Sequence, residues 1–89
     1  MVKYEIVFSK AAAKNIPRLK AANLADKTKK LLDIIRENPF QNPPPYEKLV
    51  GDMQGLYSRR INIQHRLVYE VLEAEKIIKV VSVWSHYEY

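Results

Sequence analysis

Apolar positions change their period along the chain, and each change marks an element. Tyr4–Phe8 alternates apolar and polar residues and is rich in β-formers, which predicts a first strand. Ser9 then fits a helix N-cap, and KAAAKNI starts a helix in which Ala12, Ile16 and Leu19 share one face. Pro17 falls about two turns in, where a missing amide and a ring clash predict a kink or a break into two pieces. Asn23 is placed to cap a second helix, with Asp26 favourable in its first turn. At 100° per residue, Leu24, Thr28, Leu31, Leu32, Ile34 and Ile35 fall in one arc, while Asp26, Lys29, Lys30, Asp33, Arg36 and Glu37 fall in the other. Asn38-Pro39 ends this helix.

Residues 39–55 hold four of the five prolines and both glycines. Pro43-Pro44-Pro45 is stiff and extended, so it can fix the position of the next stretch, Tyr46-Glu47-Lys48-Leu49. The segment reads as one long functional loop, because neither flank is large enough to stand alone. Period-two patterns then return over about 56–62, 65–72 and 76–87. Short connections make these three an antiparallel meander. The expectation is a single α+β domain over 1–89, with the order β-α-α-β-β-β and both helices on one face of the sheet.

Composition narrows the chemistry. The chain has no cysteine, which removes disulfides, thiolate metal sites and cysteine nucleophiles, and fits a cytoplasmic location. The alternating start MVKYEIVF does not read as a signal peptide, and no apolar run approaches a membrane span. Net charge is +5, which favours a polyanionic partner. Up to Arg36 there are nine Lys/Arg against three Asp/Glu; from Glu37 onward there are six against seven. The excess lies in the N-terminal part, where Lys10, Lys14 and Arg18 form a stripe at i, i+4, i+8. That stripe is either a solubilising surface or a contact for nucleic-acid phosphates.

The stretch LYSRRINIQHRLVY, residues 56–69, concentrates Arg59, Arg60, His65 and Arg66 on one hairpin. If Glu73-Ala74-Glu75 is the following turn, residue 72 faces 76 and 66 faces 82, so Arg66, Ser82, Trp84 and His86 share a solvent-facing side of the sheet. Arg60 joins them if the hairpin turns at Asn62–Gln64, and Arg59 joins instead if that loop shifts by one residue. Taken singly, each arginine reads more plainly as an edge charge paired with Glu70 or Glu75. His65 reads as a surface histidine in a turn, and Glu47 as a solvated loop carboxylate. Their co-occurrence points to chemistry: an arginine cluster, a carboxylate and an imidazole suit cleavage of RNA without a metal or cofactor.

SRRINIQHRLVY together with the C-terminal SHY resembles the YoeB/Txe group of bacterial toxins in the RelE/ParE superfamily. The upstream Asn-Pro-Phe and the Pro-rich loop carrying Glu and Leu add to the likeness, which covers about residues 24–87. The resemblance implies a small RelE-like fold with a twisted antiparallel sheet. It implies an mRNA interferase that enters the ribosomal A site, cuts the bound mRNA and is neutralised by a YefM/Axe-like antitoxin, with a homodimer or a toxin–antitoxin hetero-oligomer as the assembly. It assigns Glu47 as general base, Arg60 and Arg66 as phosphate ligands, His86 as general acid and Tyr87 as a substrate-stacking aromatic. It therefore favours Arg60 over Arg59. The 2′-hydroxyl of the RNA would then be the nucleophile. Two rival readings are a ParE-like gyrase poison of the same fold, which generally lacks this Glu/Arg/His set, and a non-enzymatic nucleic-acid-binding module.

Overall fold

A computed structural model describes residues 3–42, 45–49, 55–62 and 65–86, with 84–86 described by their backbone only. Pro43-Pro44, the tip of the 56–69 hairpin, Tyr87 and the side chains of Trp84 and His86 thus lie outside the described residues. The chain forms β1 (Glu5–Phe8), α1 (Lys10–Ala21), α2 (Ala25–Glu37), β2 (Tyr46–Lys48), β3 (Leu56–Arg60), β4 (His65–Leu72) and β5 (Ile77–His86). The strands make one five-stranded sheet in the order β1-β5-β4-β3-β2.

Ser9 caps α1 as expected. Its Oγ accepts from the Ala12 amide at 3.1 Å and donates to the Val81 carbonyl at 3.0 Å. One side chain thereby starts the helix and ties it to β5, and a cap of this kind contributes about 1 kcal/mol. The expected break at Pro17 does not occur, and α1 runs as a single helix through it. The carbonyl that loses its partner belongs to Ala13, an exposed position where water can replace the bond.

Asn23 has a different role from the one expected. It adopts φ 59°, with its amide bonded to the Lys20 carbonyl at 3.2 Å, and the Leu24 amide reaches the Leu19 carbonyl at 2.8 Å. These paired bonds are a Schellman stop for α1, with Asn23 as the left-handed residue and buried Leu19 and Leu24 as its apolar flanks. Leu24 takes the N-cap position of α2 without a side-chain cap bond. The fold makes a tight corner between the helices by ending the first, not by capping the second.

Leu24, Leu31 and Ile35 of the α2 region join Ala12 and Leu19 of the α1 region against Leu67, Tyr69, Ile78, Val80 and Val83 of the sheet. Both helices therefore cover one face. Burying each large aliphatic side chain there contributes roughly 1.5–3 kcal/mol. The sheet is mixed: β1 runs parallel to β5, pairing Ile6 with Ile78 and Phe8 with Val80. The expected all-antiparallel sheet is corrected on this point, because the two helices carry the chain across the sheet before it returns. A second correction concerns β2, which lies in the stretch expected to be loop. It pairs antiparallel with β3 as an edge strand.

The β4–β5 register also differs from the expected one. The turn spans four residues, with Lys76 at φ 56°, so Leu72 faces Ile77. Further along the ladder there are two register shifts, between Tyr69 and Val68 and between Val68 and Arg66. Arg66 consequently stands level with Ser85, not Ser82, and His65 stands level with His86. The longer turn and the two shifts together offset the ladder by an odd number of residues, so the simple alternation between Arg66 and His86 is lost.

Candidate functional site: a cleft built on β2, β3 and β4

The sheet face away from the helices is open, and its chemistry gathers where β2 meets β3 and β4. Glu47 pairs with Ser58 in the β2–β3 ladder, and Arg60 pairs with Arg66 in the β3–β4 ladder. Alternation along these strands then puts Glu47, Ser58, Arg60 and Arg66 on one face. Together with Pro45 and Tyr46 they line an open depression of about 190 Å³. A depression this small and shallow does not enclose a ligand and suits a chain laid across it.

Arg66 is the centre of the cleft. Its Nη1 stands 3.2 Å from Glu47 Oε1 and donates to Ser58 Oγ at 3.2 Å. The Arg66 side chain is only 9% exposed, while that of Glu47 is 56% exposed. The sequence expectation of a solvent-facing Arg66 is therefore corrected. The edge strand β2, unseen in the sequence pattern, brings Glu47 over it. Arg60 remains exposed beside the pair. The result is a fixed cation next to a solvent-reachable carboxylate, with a second guanidinium at the rim. Such a set can hold a phosphate and take a proton from a group beside it.

Arg59 is not part of this cleft. It points to the helix-side face and is 1% exposed. Its Nε donates to Tyr69 Oη at 3.1 Å, and its Nη2 donates to the carbonyls of Pro39 and Gln41 at 3.1 and 2.8 Å. Its guanidinium carbon also lies 5.1 Å from the centre of the Tyr46 ring. The alternative that put Arg59 among the substrate-contacting arginines, through a one-residue loop shift, is corrected by this placement: one-residue alternation sends neighbouring arginines to opposite faces, and the Arg60↔Arg66 register decides which faces the cleft.

His65 is buried at the start of β4, where its amide donates to Asn62 Oδ1 at 2.7 Å; the surface-histidine expectation is likewise corrected. His86 ends β5, at the same end of the sheet as Arg66. Lys10, Lys14 and Arg18 are exposed on α1, on the helical layer and not in the cleft. Sequence reasoning did not assign Ser58 or Tyr46. Ser58 could have been found, since it shares parity with Arg60; Tyr46 could not, because its short strand has no period of its own. Among the described residues, no group of His, Asp and Glu side chains is arranged to hold a metal ion, and no helix is long and apolar enough to cross a membrane.

Residues 17–87 match the family described as the YoeB-like toxin of bacterial type II toxin-antitoxin systems. The chain belongs to this family. It is 36% identical over 58 residues to a toxin YoeB of Synechocystis sp., a match covering 65% of each protein, so the chain spans slightly under two thirds of that relative's length. Among solved structures, a YoeB/ParE toxin from Agrobacterium tumefaciens superposes with a TM-score of 0.84 at 28% identity, covering 93% of this chain and 99% of that one. The toxin-like chain of a YoeB-YefM complex from Staphylococcus aureus gives 0.79 at 35% identity, covering 96% and 99%. As in these YoeB-like relatives, the architecture is two helices with a five-stranded sheet. The family match spans the cleft residues Glu47, Ser58, Arg60 and Arg66 and extends through His86 and Tyr87.

Proposed function

We propose that this YoeB-like chain is a ribosome-dependent endoribonuclease toxin that cleaves mRNA and so stops translation. The observation that carries the reading is the Glu47–Arg66 pair at 3.2 Å, set beside Ser58 and Arg60 on an open sheet face. A carboxylate within reach of a buried guanidinium is a proton acceptor next to a phosphate holder. The nucleophile is then the RNA's own 2′-oxygen. Glu47 takes the proton from the 2′-hydroxyl as that oxygen attacks phosphorus. Arg66 and Arg60 hold the non-bridging oxygens and the charge that grows on them. The bond to the 5′-oxygen breaks, and His86 gives that oxygen its proton. Tyr87 stacks on the substrate. This route asks for no metal.

The basic stripe of Lys10, Lys14 and Arg18 serves approach to ribosomal RNA through its phosphates. The partner that silences the toxin is a YefM-like antitoxin, by analogy with the YoeB-YefM complex of the S. aureus relative. The assemblies are the toxin–antitoxin hetero-oligomer and, without antitoxin, a homodimer. The site of action is the cytoplasm, where translating ribosomes are. The test is primer extension on mRNA in a translating extract, with this protein or its Glu47→Ala variant. The wild type should give new stops, and the variant should give roughly 10²–10⁴-fold fewer. Arrested growth without mRNA cleavage, or undiminished cleavage by the variant, would overturn the reading.

A further inference from the structure

Arg59 is the largest fully buried side chain among the described residues. Removing a guanidinium from water is costly and persists only where the group is well bonded. Here the bonds converge on one segment. Nη2 holds the carbonyls of Pro39 and Gln41, which lie just past α2, and the Tyr46 ring of β2 packs against the guanidinium. Tyr69 completes the arrangement: it accepts from Arg59 Nε and donates its own proton to the Pro39 carbonyl at 2.8 Å. Burial pushes the Tyr69 hydroxyl above its ordinary pKa, so it keeps that proton. A planar fork is suited to this task, since it reaches two carbonyls and a hydroxyl while presenting a face to an aromatic ring.

The segment so held carries Glu47. Strand β2 is three residues long and, among the described residues, has β3 as its single neighbour in the sheet, so its backbone ladder alone is a weak anchor. On the cleft side the Glu47–Arg66 pair helps to hold it. A phosphodiester that engages Arg66 competes with that pair and weakens it at the moment the carboxylate must be in place. On the other face Arg59 itself is out of reach of substrate: it is 1% exposed and stands level with Tyr46 in the ladder, while Glu47 stands level with Ser58.

We propose that Arg59 is a positioning residue, which holds Glu47 in place for proton transfer through Tyr46 and the 39–41 carbonyls from the face opposite the cleft. This rests on the reading of Glu47 as general base. The test is single-turnover cleavage of ribosome-bound mRNA by the full chain, comparing Arg59→Lys, Glu47→Gln and the double variant, with the folded fraction of each measured by circular dichroism. Arg59→Lys should lower the saturated rate by about 10- to 100-fold, the size of loss that accompanies about 1 Å of misplacement, with half-saturation unchanged. In the Glu47→Gln background the same change should cost less than about twofold, since a residue acting through Glu47 has nothing left to position. Equal losses in both backgrounds would make Arg59 a general support of the cleft and overturn the proposal, as would full activity of Arg59→Lys. Should Arg59→Lys fail to fold, Tyr69→Phe, which removes the buried hydroxyl shared by Arg59 Nε and the Pro39 carbonyl, puts the same question with the same two outcomes. A full rate in Glu47→Gln alone would overturn the general-base reading itself, and that result is distinct from the others.

Discussion

Arg66 Nη1 lies 3.2 Å from Glu47 Oε1, with the arginine sunk into the sheet and the carboxylate open to solvent. This asymmetry sets the chemistry of the cleft. The buried partner keeps a fixed position, and the exposed one can exchange water for substrate. It also sets the energetics, because water around Glu47 screens the pair and keeps its contribution to stability within about 0–1 kcal/mol.

Arg66→Ala should therefore separate activity from stability. Cleavage should fall by roughly 10²-fold or more, as for loss of a group that stabilises transition-state charge. The melting temperature should fall by only about 4–8 °C for each kcal/mol lost. Thermal denaturation and primer extension on the same preparation check both values. An unfolded variant would make Arg66 structural, and a folded, fully active one would remove it from the mechanism.

The ends of the products report the nucleophile. The downstream fragment should carry a 5′-hydroxyl, and the upstream fragment should end in a 2′,3′-cyclic phosphate or 3′-phosphate. A substrate with 2′-O-methyl at the cleaved nucleotide should resist. If the methylated substrate is cut at the normal rate, water attacks and the role given to Glu47 is wrong.

The α1 stripe can be tested apart from the cleft. Replacing Lys10, Lys14 and Arg18 together by Gln should weaken ribosome association and reduce the slope of log affinity against log salt by roughly 0.7–0.9 per lost phosphate contact. Cleavage at saturating toxin should change far less, since these residues lie outside the cleft. An unchanged slope would return the stripe to a solubilising role.

The α1–α2 corner makes a prediction about stability alone. Asn23 sits at φ 59°, a conformation that costs other L-residues roughly 1–2 kcal/mol and that glycine adopts freely. Asn23→Gly should keep or raise the melting temperature, and Asn23→Val should lower it. Cleavage by both folded proteins should match the wild type. A melting temperature that is higher for Val than for Gly would contradict the Schellman assignment.

Much of this protein was legible from local pattern. The amphipathic arc of α2, the Ser9 cap and the strand periods each depend on residues within a turn or two of one another, so the chain itself displays them. The Arg60↔Arg66 pairing was one of two registers that the short hairpin allowed, and the resemblance, not the spacing, favoured it. The family was legible too, because SRRINIQHRLVY and SHY occur together as a set.

What tertiary structure decided is non-local. Strand β2 has three residues and little period of its own, and it is a strand because β3 offers it a free edge. Its presence turns a loop carboxylate into the partner of Arg66. The parallel β1–β5 pairing joins segments about seventy residues apart, a distance over which no spacing rule reaches. A four-residue turn in place of three and two register shifts between β4 and β5 together displaced Arg66 from Ser82 to Ser85, because alternation is reset wherever a ladder slips. Arg59 and Arg60 are identical in composition and adjacent in sequence. Only the packed sheet, with helices and the 39–41 segment on one side and open solvent on the other, makes one a buried strut and the other a residue of the cleft.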